Sequence, residues 1–346
     1  MQNDEQPTVK SEKIATMADV AQLAQVSSAA VSYYFSDRKE HSIRVGAEAR
    51  KRIRQAVDQL GYIPNKTARN LRRQQTERVC LLLPKLGIPF ADKMIRDIQA
   101  VTNARGVLTV VLAGQDIEGY RKIIGEVEAG LADGIIADAE IFSSSEVKEL
   151  FEPFARHNRA CLVIHPSATP QSYSVVTHDR ITALQQAINH LMNRGYHNFT
   201  YIRNRRKIIN SRVQFLLKMQ EEYAGKINIT IIDGAQSRES AAAAAREITA
   251  MTSRPDAVLL ESDFAAITAL EEFKRAGLSI PDDIAVIGCG NAEESYYTSP
   301  RLSTIGPKWI SLTDATEHFM EMIDKRGAIT PRQFTVPWTL YSRDSA

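Results

Sequence analysis

Residues 16–36 read TMADVAQLAQVSSAAVSYYFS, and this stretch contains two short runs of helical periodicity around a tight turn. In the first run, Thr16 is placed to cap a helix and Asp19 lies in its first turn. In the second run, Ser27 is the predicted cap, and four residues share one helical face: Ala30, Val31, Tyr34 and Phe35. Two short helices joined by a tight turn predict a helix-turn-helix.

A third helix is predicted over residues 46–60, after a polar and basic loop. Gly61 closes it and Pro64 follows, as is typical beyond a helix C-terminus. Its inward face is predicted to hold Ala49, Ile53, Ala56, Val57 and Leu60. Residues 16–63 are therefore expected to form a small all-α bundle, preceded by a polar tail over 1–15 that we expect to be disordered.

Positive charge is concentrated at the N-terminal end of the chain. Residues 1–76 carry 13 Lys and Arg against 8 Asp and Glu, a net charge of +5, whereas the remaining 270 residues carry a net charge of −3. Basic residues gather at 50–54 and again at 66–73. Such clusters attract a polyanion, although a charge run is also typical of a solvated helix face.

Beyond residue 76, short apolar runs alternate with segments of helical periodicity. The runs are VCLLLP, VLTVVLA, GIIADA, ACLVIH, FTYIR, INITIID, AVLLES and IAVIG, and a last strand-like run, QFTVPWTLYS, follows near the end. Strands alternating with helices predict βαβ units and parallel sheets covered on both faces. The length of this region favours two doubly wound sheets side by side, with a ligand cleft at the carboxyl ends of their strands.

Composition excludes several classes of protein. The chain has 346 residues, enough for two or three domains, and 44% of them are hydrophobic. The N-terminal segment lacks the apolar core of a secretory signal, and no later stretch is apolar enough to span a membrane, so a cytoplasmic protein without membrane contact is expected. Cys80, Cys161 and Cys289 are far apart in strand-like runs, which indicates buried thiols rather than disulfides or zinc ligands. We expect neither a metal nor a cofactor.

Several segments together resemble the lactose-repressor family of bacterial transcription regulators. TMADVAQLAQVSSAAVSYYFS is similar to its DNA-binding signature, and LGYIPNKTARNLRR (60–73) to its third helix and hinge helix. PDAVLLESDFAAITALEEFKRAGLSIPDDIAVIGCGN (255–291) is similar to its effector domain, and HDRITALQQAINHLMNRGYHNFTYI and SPRLSTI agree as well. The resemblance runs over about residues 14–345 in unbroken order, and several motifs in the right order are more specific than one.

The resemblance implies a multi-domain architecture. The all-α helix-turn-helix bundle would be followed by a hinge helix and linker over 64–76. Residues 77–346 would form an α/β periplasmic-binding-protein-like effector and dimerisation domain of two doubly wound parallel-sheet subdomains. The chain is expected to cross between these subdomains near 177, within 234–306 and near 332.

For DNA binding, the resemblance implies that the second helix of the motif lies in the major groove of an operator. The positions that match base-reading residues are Ser28, Ala29 and Tyr33, and Tyr33 stands where the family often has Arg. The alternative for Tyr33 is a half-buried aromatic that supports the loop. Three further positions in the motif are implied as DNA contacts: Thr16, Ser27 and Ser32.

The hinge segment resembles family members that insert a leucine into the minor groove. Leu71 matches that leucine and Ala68 matches the small residue beside it, although Leu71 could instead be a linker residue packed on the effector domain. The remaining implied contacts are Asn65, Arg69 and Arg72, of which the arginines would bind phosphates.

Six positions match family residues around the ligand cleft: Phe90, Asp179, Arg212, Ser262, Asp263 and Asn291. Three of these positions have a structural alternative: Asp179 could cap a helix, Arg212 could form a surface ion pair, and Phe90 could be core.

Two departures concern the ligand. Gly290 stands where the family usually has a carboxylate that binds sugar hydroxyls, so the usual sugar clamp is weakened. RNRRK at 203–207 stands where Gly-Pro is usual, which indicates either an anionic effector such as a sugar phosphate or a solvated loop.

The leading hypothesis is a homodimeric repressor whose operator affinity is controlled by a small-molecule effector, a sugar or sugar derivative. An α/β enzyme with a DNA-binding appendage is the alternative, but the sequence has no phosphate loop, Gly-x-Ser-x-Gly or dinucleotide glycine motif. A secreted solute-binding protein would need the signal peptide that we do not find. No heptad repeat follows the last strand-like run, so a dimer is expected rather than a tetramer.

Overall fold

The computed structural model describes residues 15–35, 45–64, 75–204, 211–308, 311–326 and 328–346. The chain divides into two compact units, Met1–Gln74 and Gln75–Ala346. The tail and most of the hinge segment expected at 64–76 lie outside the described residues.

The first unit contains α1 (Met17–Ala24), α2 (Ser28–Tyr34) and α3 (Ala47–Leu60). Thr16 caps α1 in a capping box with Asp19, and the Ser27 hydroxyl caps α2 by accepting from the Ala30 amide. The turn between them depends on Gln25, whose φ of 54° places it in the left-handed region that favours glycine. The predicted helix-turn-helix and its two caps are therefore confirmed.

The core of the first unit is small. Its fully or nearly buried members are Val20, Ala21, Ala24, Val31, Val45, Ile53, Ala56 and Tyr62. The inward residues predicted for α3 all pack here, and the rings of Phe35 and Tyr62 lie 5.8 Å apart between centroids. A core of this size depends on each of its aliphatic side chains.

The second unit contains two six-stranded sheets, each the centre of one subdomain. The first sheet has the order β11-β5-β4-β3-β1-β2 and the second β12-β10-β9-β8-β6-β7. The strands of the first sheet are β1 (Arg78–Leu83), β2 (Leu108–Ala113), β3 (Gly134–Asp138), β4 (Ala160–Ile164), β5 (Ser174–Asp179) and β11 (Gln333–Pro337). The strands of the second are β6 (Asn198–Arg203), β7 (Asn228–Asp233), β8 (Ala257–Leu260), β9 (Ala285–Cys289), β10 (Ser303–Gly306) and β12 (Thr339–Tyr341).

Helices cover both sheets. Those of the first subdomain are α4 (Pro89–Ala104), α5 (Ile117–Glu128), α6 (Ser144–Arg156) and α11 (Thr313–Asp324). Those of the second are α7 (Arg180–Asn193), α8 (Ser211–Glu222), α9 (Arg238–Ala250) and α10 (Asp263–Arg275). All strand pairs are parallel except β10 with β12, which confirms the predicted doubly wound architecture.

The chain passes between the subdomains three times: from β5 into α7 at residues 179–180, from β10 into α11, and from β11 into β12 across Trp338. The first and third of these passages lie a few residues beyond the positions expected near 177 and 332. The second begins at the end of the expected range, 234–306. One apolar cluster continues through both subdomains, and all three cysteines are buried as free thiols, as predicted. None of the helices described here combines the length and hydropathy that crossing a bilayer requires.

We expect Ile53→Ala to destabilise the first unit by about 2–5 kcal/mol, because the side chain is fully buried in a small core that cannot collapse around the cavity. Hydrogen exchange of the α3 amides in the full chain measures this loss as faster local opening. The matched control is Gln55→Ala on the exposed face of the same helix, which should change protection by less than about 0.5 kcal/mol. Equal protection in the two variants would contradict the packing described.

Candidate functional site

The first turn of α2 is the exposed end of the helix-turn-helix. Ser27 uses its hydroxyl as the cap, while Ser28 and Ala29 are exposed, so the two smallest of the predicted base-reading side chains face solvent. Thr16 is exposed but its hydroxyl already donates to Asp19 at 2.7 Å in the capping box. Ser32 is half-buried.

Tyr33 does not face fully outward. It is half-buried and packs on the core of the first unit together with Tyr34 and Phe35. This half-buried position is the alternative that the sequence left open for Tyr33, because a seven-residue helix on a small core buries part of every large side chain it carries. Its role in base reading stays a prediction.

The hinge positions implied as DNA contacts lie outside the described residues. These are Asn65, Ala68, Arg69, Leu71 and Arg72.

The second subdomain's half of the cleft is built around a buried ion pair. Arg212 opens α8 and is 7% exposed, and its Nη2 lies 3.1 Å from Oε1 of Glu261, which follows β8. The Tyr201 hydroxyl donates to the same oxygen at 3.1 Å, and the Asn204 amide donates to Oε2 at 2.8 Å. Arg212 is therefore an interior cation held by a fixed carboxylate, not a surface residue.

Arg212 also donates to the sulfur of Cys289 at 3.7 Å. Burial raises the pKa of the Cys289 thiol to about 11, which the Arg212 charge only partly offsets. The thiol is thus protonated at neutral pH and serves as a weak acceptor and a packing group rather than as a nucleophile.

Asp263 holds a loop rather than offering a free carboxylate to the cleft. Its Oδ2 accepts from the Ala292 amide and its Oδ1 from the Thr304 hydroxyl, both at 2.6 Å. Burial raises its pKa to about 6, and these hydrogen bonds pull it back toward the ordinary value. Ser262 is the N-cap of α10, where its hydroxyl accepts from the Ala265 amide.

The loop that Asp263 holds carries Asn291, which is 5% exposed with a φ of 49°. Its side chain donates to the Pro307 carbonyl at 3.0 Å and accepts from Arg343 at 2.7 Å. Its backbone carbonyl accepts from Lys93 Nζ of α4 at 2.9 Å, a contact across the cleft. Asn291 therefore acts in this structure as a loop anchor and a bridge between subdomains.

The first subdomain's half of the cleft combines aromatic rings with a second ion pair. Phe90 is half-buried, with its ring centroid 5.4 Å from His178 and 5.8 Å from Trp338. Arg180 donates to Oε1 of Glu140 at 2.7 Å, and its guanidinium carbon lies 4.7 Å from the Trp338 ring centroid. Asp179 caps α7 by accepting from the Thr182 amide at 3.2 Å, which is the alternative that the sequence left open for it.

The sequence did not point to several charged and aromatic residues that line the cleft from both sheets. Glu140, His178, Arg180, Glu261 and Trp338 each lie at or just beyond the carboxyl end of a strand. In a parallel sheet that position faces the cleft, so a charged residue directly after an apolar run was a usable signal. The basic segment at 203–207, predicted to bind an anionic effector or to form a solvated loop, is only partly described. Arg203 pairs with Asp233 at 2.8 Å, and residues 205–207 lie outside the described part of the chain. Among the described residues, no cluster of His, Cys, Asp and Glu is arranged to hold a metal ion.

Comparison with known proteins adds the identity of these units. Residues 16–65 match the family of bacterial regulatory proteins, lacI family, and residues 188–346 match a periplasmic binding protein-like domain. The lacI-family match thus falls on the helix-turn-helix unit, and the periplasmic binding protein-like match falls within Gln75–Ala346. The chain is 25% identical to the HTH-type transcriptional repressor CytR of Escherichia coli K12 over 310 residues, 86% of each chain.

It is also 28% identical to the HTH-type transcriptional repressor PurR of Photobacterium profundum, over 90% of this chain and 92% of that protein. A crystal structure of the lac repressor dimer bound to operator and the anti-inducer ONPF has the same fold, with a TM-score of 0.82 and 19% identity over 96% of this chain and 99% of that one. These relatives are named as repressors, and they match the chain across both of its units.

Gly288 packs closely against the Asp263 carboxylate, and a substitution there tests the position of Asp263 beneath the loop. A Cβ on Gly288 would lie 2.3 Å from Oδ1 of Asp263, so Gly288→Ala should destabilise the second unit by about 1–3 kcal/mol. The control is Gly125→Ala on the exposed face of α5, where nothing lies within 4 Å and helix propensity predicts a gain of about 0.5–1 kcal/mol. Urea unfolding of the full chain measures both, and coincident transitions would show that Asp263 does not occupy this position.

Proposed function

We propose that this protein is a transcriptional repressor that binds operator DNA through its helix-turn-helix and responds to a small molecule held between the two subdomains of Gln75–Ala346. The observation that carries the proposal is the exposed first turn of α2 on a domain that matches the lacI family. Its small side chains, Ser28 and Ala29, can approach base edges closely, one with a hydroxyl and one with a methyl group.

Charge and relatives support the DNA-binding part. Residues 1–76 carry a net charge of +5, which favours a polyanionic partner. CytR and PurR are named as repressors, and the lac repressor dimer is bound to an operator. We assign Arg69 and Arg72 to phosphate contacts and Leu71 to the minor groove on the resemblance of the hinge segment.

The polar cluster at the carboxyl ends supports the effector part. Two ion pairs lie in this cluster: Arg212 with Glu261 is buried, and Arg180 with Glu140 is at most 15% exposed, with Arg180 beside the rings of Phe90 and Trp338. Burying charges costs free energy, and a fold can be stable without such buried pairs. Clusters of charged groups in clefts are typical of ligand sites. We propose a sugar or sugar derivative as the effector, because ring faces and hydrogen-bonding groups alternate here.

Control of operator affinity follows if the ligand binds one cleft conformation more tightly than another. The contacts that bridge the subdomains, Lys93 with Asn291 and Arg180 with Glu140, are those that opening would break. A homodimer is proposed, as in the lac repressor structure, because two copies would read two half-sites of one operator.

Operator selection from random duplex DNA tests DNA binding. We expect a preferred site, a binding constant that falls steeply with salt, and a loss of about 1–3 kcal/mol at that site for Ser28→Ala if its hydroxyl reads a base. Gln55→Ala, on the exposed face of α3, is the control and should bind like the parent. Binding that is the same for selected and random duplexes would refute sequence-specific recognition.

Reciprocity tests effector control. A metabolite that changes the operator Kd by about 5–150-fold must have its own Kd changed by the same factor when operator is present. Fluorescence anisotropy of labelled operator and calorimetry of the metabolite measure the two factors independently. A metabolite that binds the protein equally well with and without operator would show that the cleft does not control DNA binding.

A further inference from the structure

One group of cleft residues has buried hydrogen-bond donors that find no acceptor among the residues the structure describes. The group, which we name the donor subsite, consists of His178, Arg180, Trp338, Phe90 and Glu140. Its members lie at or beyond the carboxyl ends of β1, β3, β5 and β11. The two donor side chains, His178 and Arg180, are not among the positions that the family resemblance implies for the ligand.

The protonation of His178 is fixed by its neighbour. Trp338 Nε1, which can only donate, lies 3.2 Å from His178 Nδ1, so Nδ1 must accept. A neutral imidazole that accepts at Nδ1 carries its proton on Nε2. Burial, together with the charge of Arg180, lowers the pKa of His178 to about 3, which agrees with the neutral form.

The Nε2–H group of His178 is therefore a donor, and no residue of the described ranges accepts from it although His178 is only 6% exposed. Arg180 presents a second such donor. Its Nη1 is used by Glu140 at 2.7 Å, but its Nε–H is buried without an acceptor, in a side chain that is 11% exposed. Buried donors without partners cost free energy, and native proteins rarely keep them without a function.

Charge indicates what kind of acceptor belongs there. Among the described residues of the cleft, Arg180 and Arg212 are paired with Glu140 and Glu261. A further cation, Lys93, is accompanied by Asp179 and Asp263, and His178 is neutral. An anionic ligand would therefore face two buried carboxylates with no excess of described positive charge. An uncharged oxygen, such as a hydroxyl or carbonyl, satisfies the donors without adding charge.

We propose that the donor subsite binds an uncharged ligand by donating from His178 Nε2–H and Arg180 Nε–H to acceptor oxygens of that ligand, which lies against Phe90. This inference rests on the proposed function, because it takes the cleft to be the effector site. It assigns His178 and Arg180 as specificity-determining residues and favours an uncharged effector over a phosphorylated one.

Two substitutions at one position separate the donor from the rest of the side chain. His178→Asn keeps an acceptor for Trp338 near the Nδ1 position but removes the Nε2–H donor. His178→Gln places an amide N–H near the Nε2 position and so keeps the donor. Arg180→Lys keeps the charge that pairs with Glu140 but removes the Nε–H group.

Calorimetry with the full-length protein uses defined probes: ribose, glucose, adenosine and cytidine, each compared with its monophosphate. We expect an uncharged member to bind more tightly than its phosphate. For that member, His178→Asn should raise Kd by about 3–10-fold, the range of a lost neutral hydrogen bond, while His178→Gln stays within about 3-fold of the parent. Arg180→Lys should raise Kd by about 10–150-fold, because the lost donor is part of a charged group. His157→Asn, on the exposed surface, is the control for histidine loss and should not change Kd.

The outcomes distinguish this inference from the proposed function. Tighter binding of a phosphate, no binding of any uncharged probe, or equal Kd values for His178→Asn and the parent would each overturn the donor subsite. If a phosphate binds more tightly, or if His178→Asn has the Kd of the parent, a ligand-dependent change in operator affinity would still support the proposed function. A further readout is the ¹⁵N spectrum of labelled histidine, in which His178 should show the Nε2–H tautomer and ligand binding should shift its Nε2 signal. A protonated Nδ1 would also overturn the inference.

Discussion

The ion pair between Arg180 and Glu140 is the interaction on which the state of the cleft depends. Glu140 follows β3 of the first subdomain, whereas Arg180 opens α7 of the second, and the two side chains meet at 2.7 Å with at most 15% exposure. A buried charge is tolerated only with a partner, and here the partner comes from the other subdomain. Separating the subdomains would therefore require both charges to be hydrated, so closure and pairing are coupled.

The second subdomain contributes a rigid wall to this closure. Glu261 is held by Arg212, by Tyr201 and by a backbone amide, and Asp263 fixes the loop that carries Asn291. None of these contacts needs the first subdomain. Conformational change is thus expected to be concentrated in the bridging contacts, Arg180 with Glu140 and Lys93 with the Asn291 carbonyl. A ligand that touches both walls can bias the equilibrium without rearranging either one.

The sequence predicted most of the fold because its signals are local. Caps at Thr16 and Ser27 marked α1 and α2, and continuous apolar runs marked the buried parallel strands. Two strands, 174–179 and 303–306, were missed because their polar residues interrupt the apolar pattern, and QFTVPWTLYS proved to be two strands separated by Trp338. The site was harder, since the partnership of His178 with Trp338 depends on the register of β5 beside β11, which no local pattern encodes.

The helix-turn-helix poses a different constraint, because one seven-residue helix must serve both a core and an exposed face. Ser28 and Ala29 are exposed beyond the core, so their replacement changes the surface that we propose to read DNA at little cost in stability. Tyr33 packs on the same core as Tyr34 and Phe35, so its replacement alters packing and surface together. Changes of DNA preference that leave folding intact are therefore most accessible at the first turn of α2. Tyr33 instead constrains how that turn is presented, whether or not its hydroxyl reaches a base.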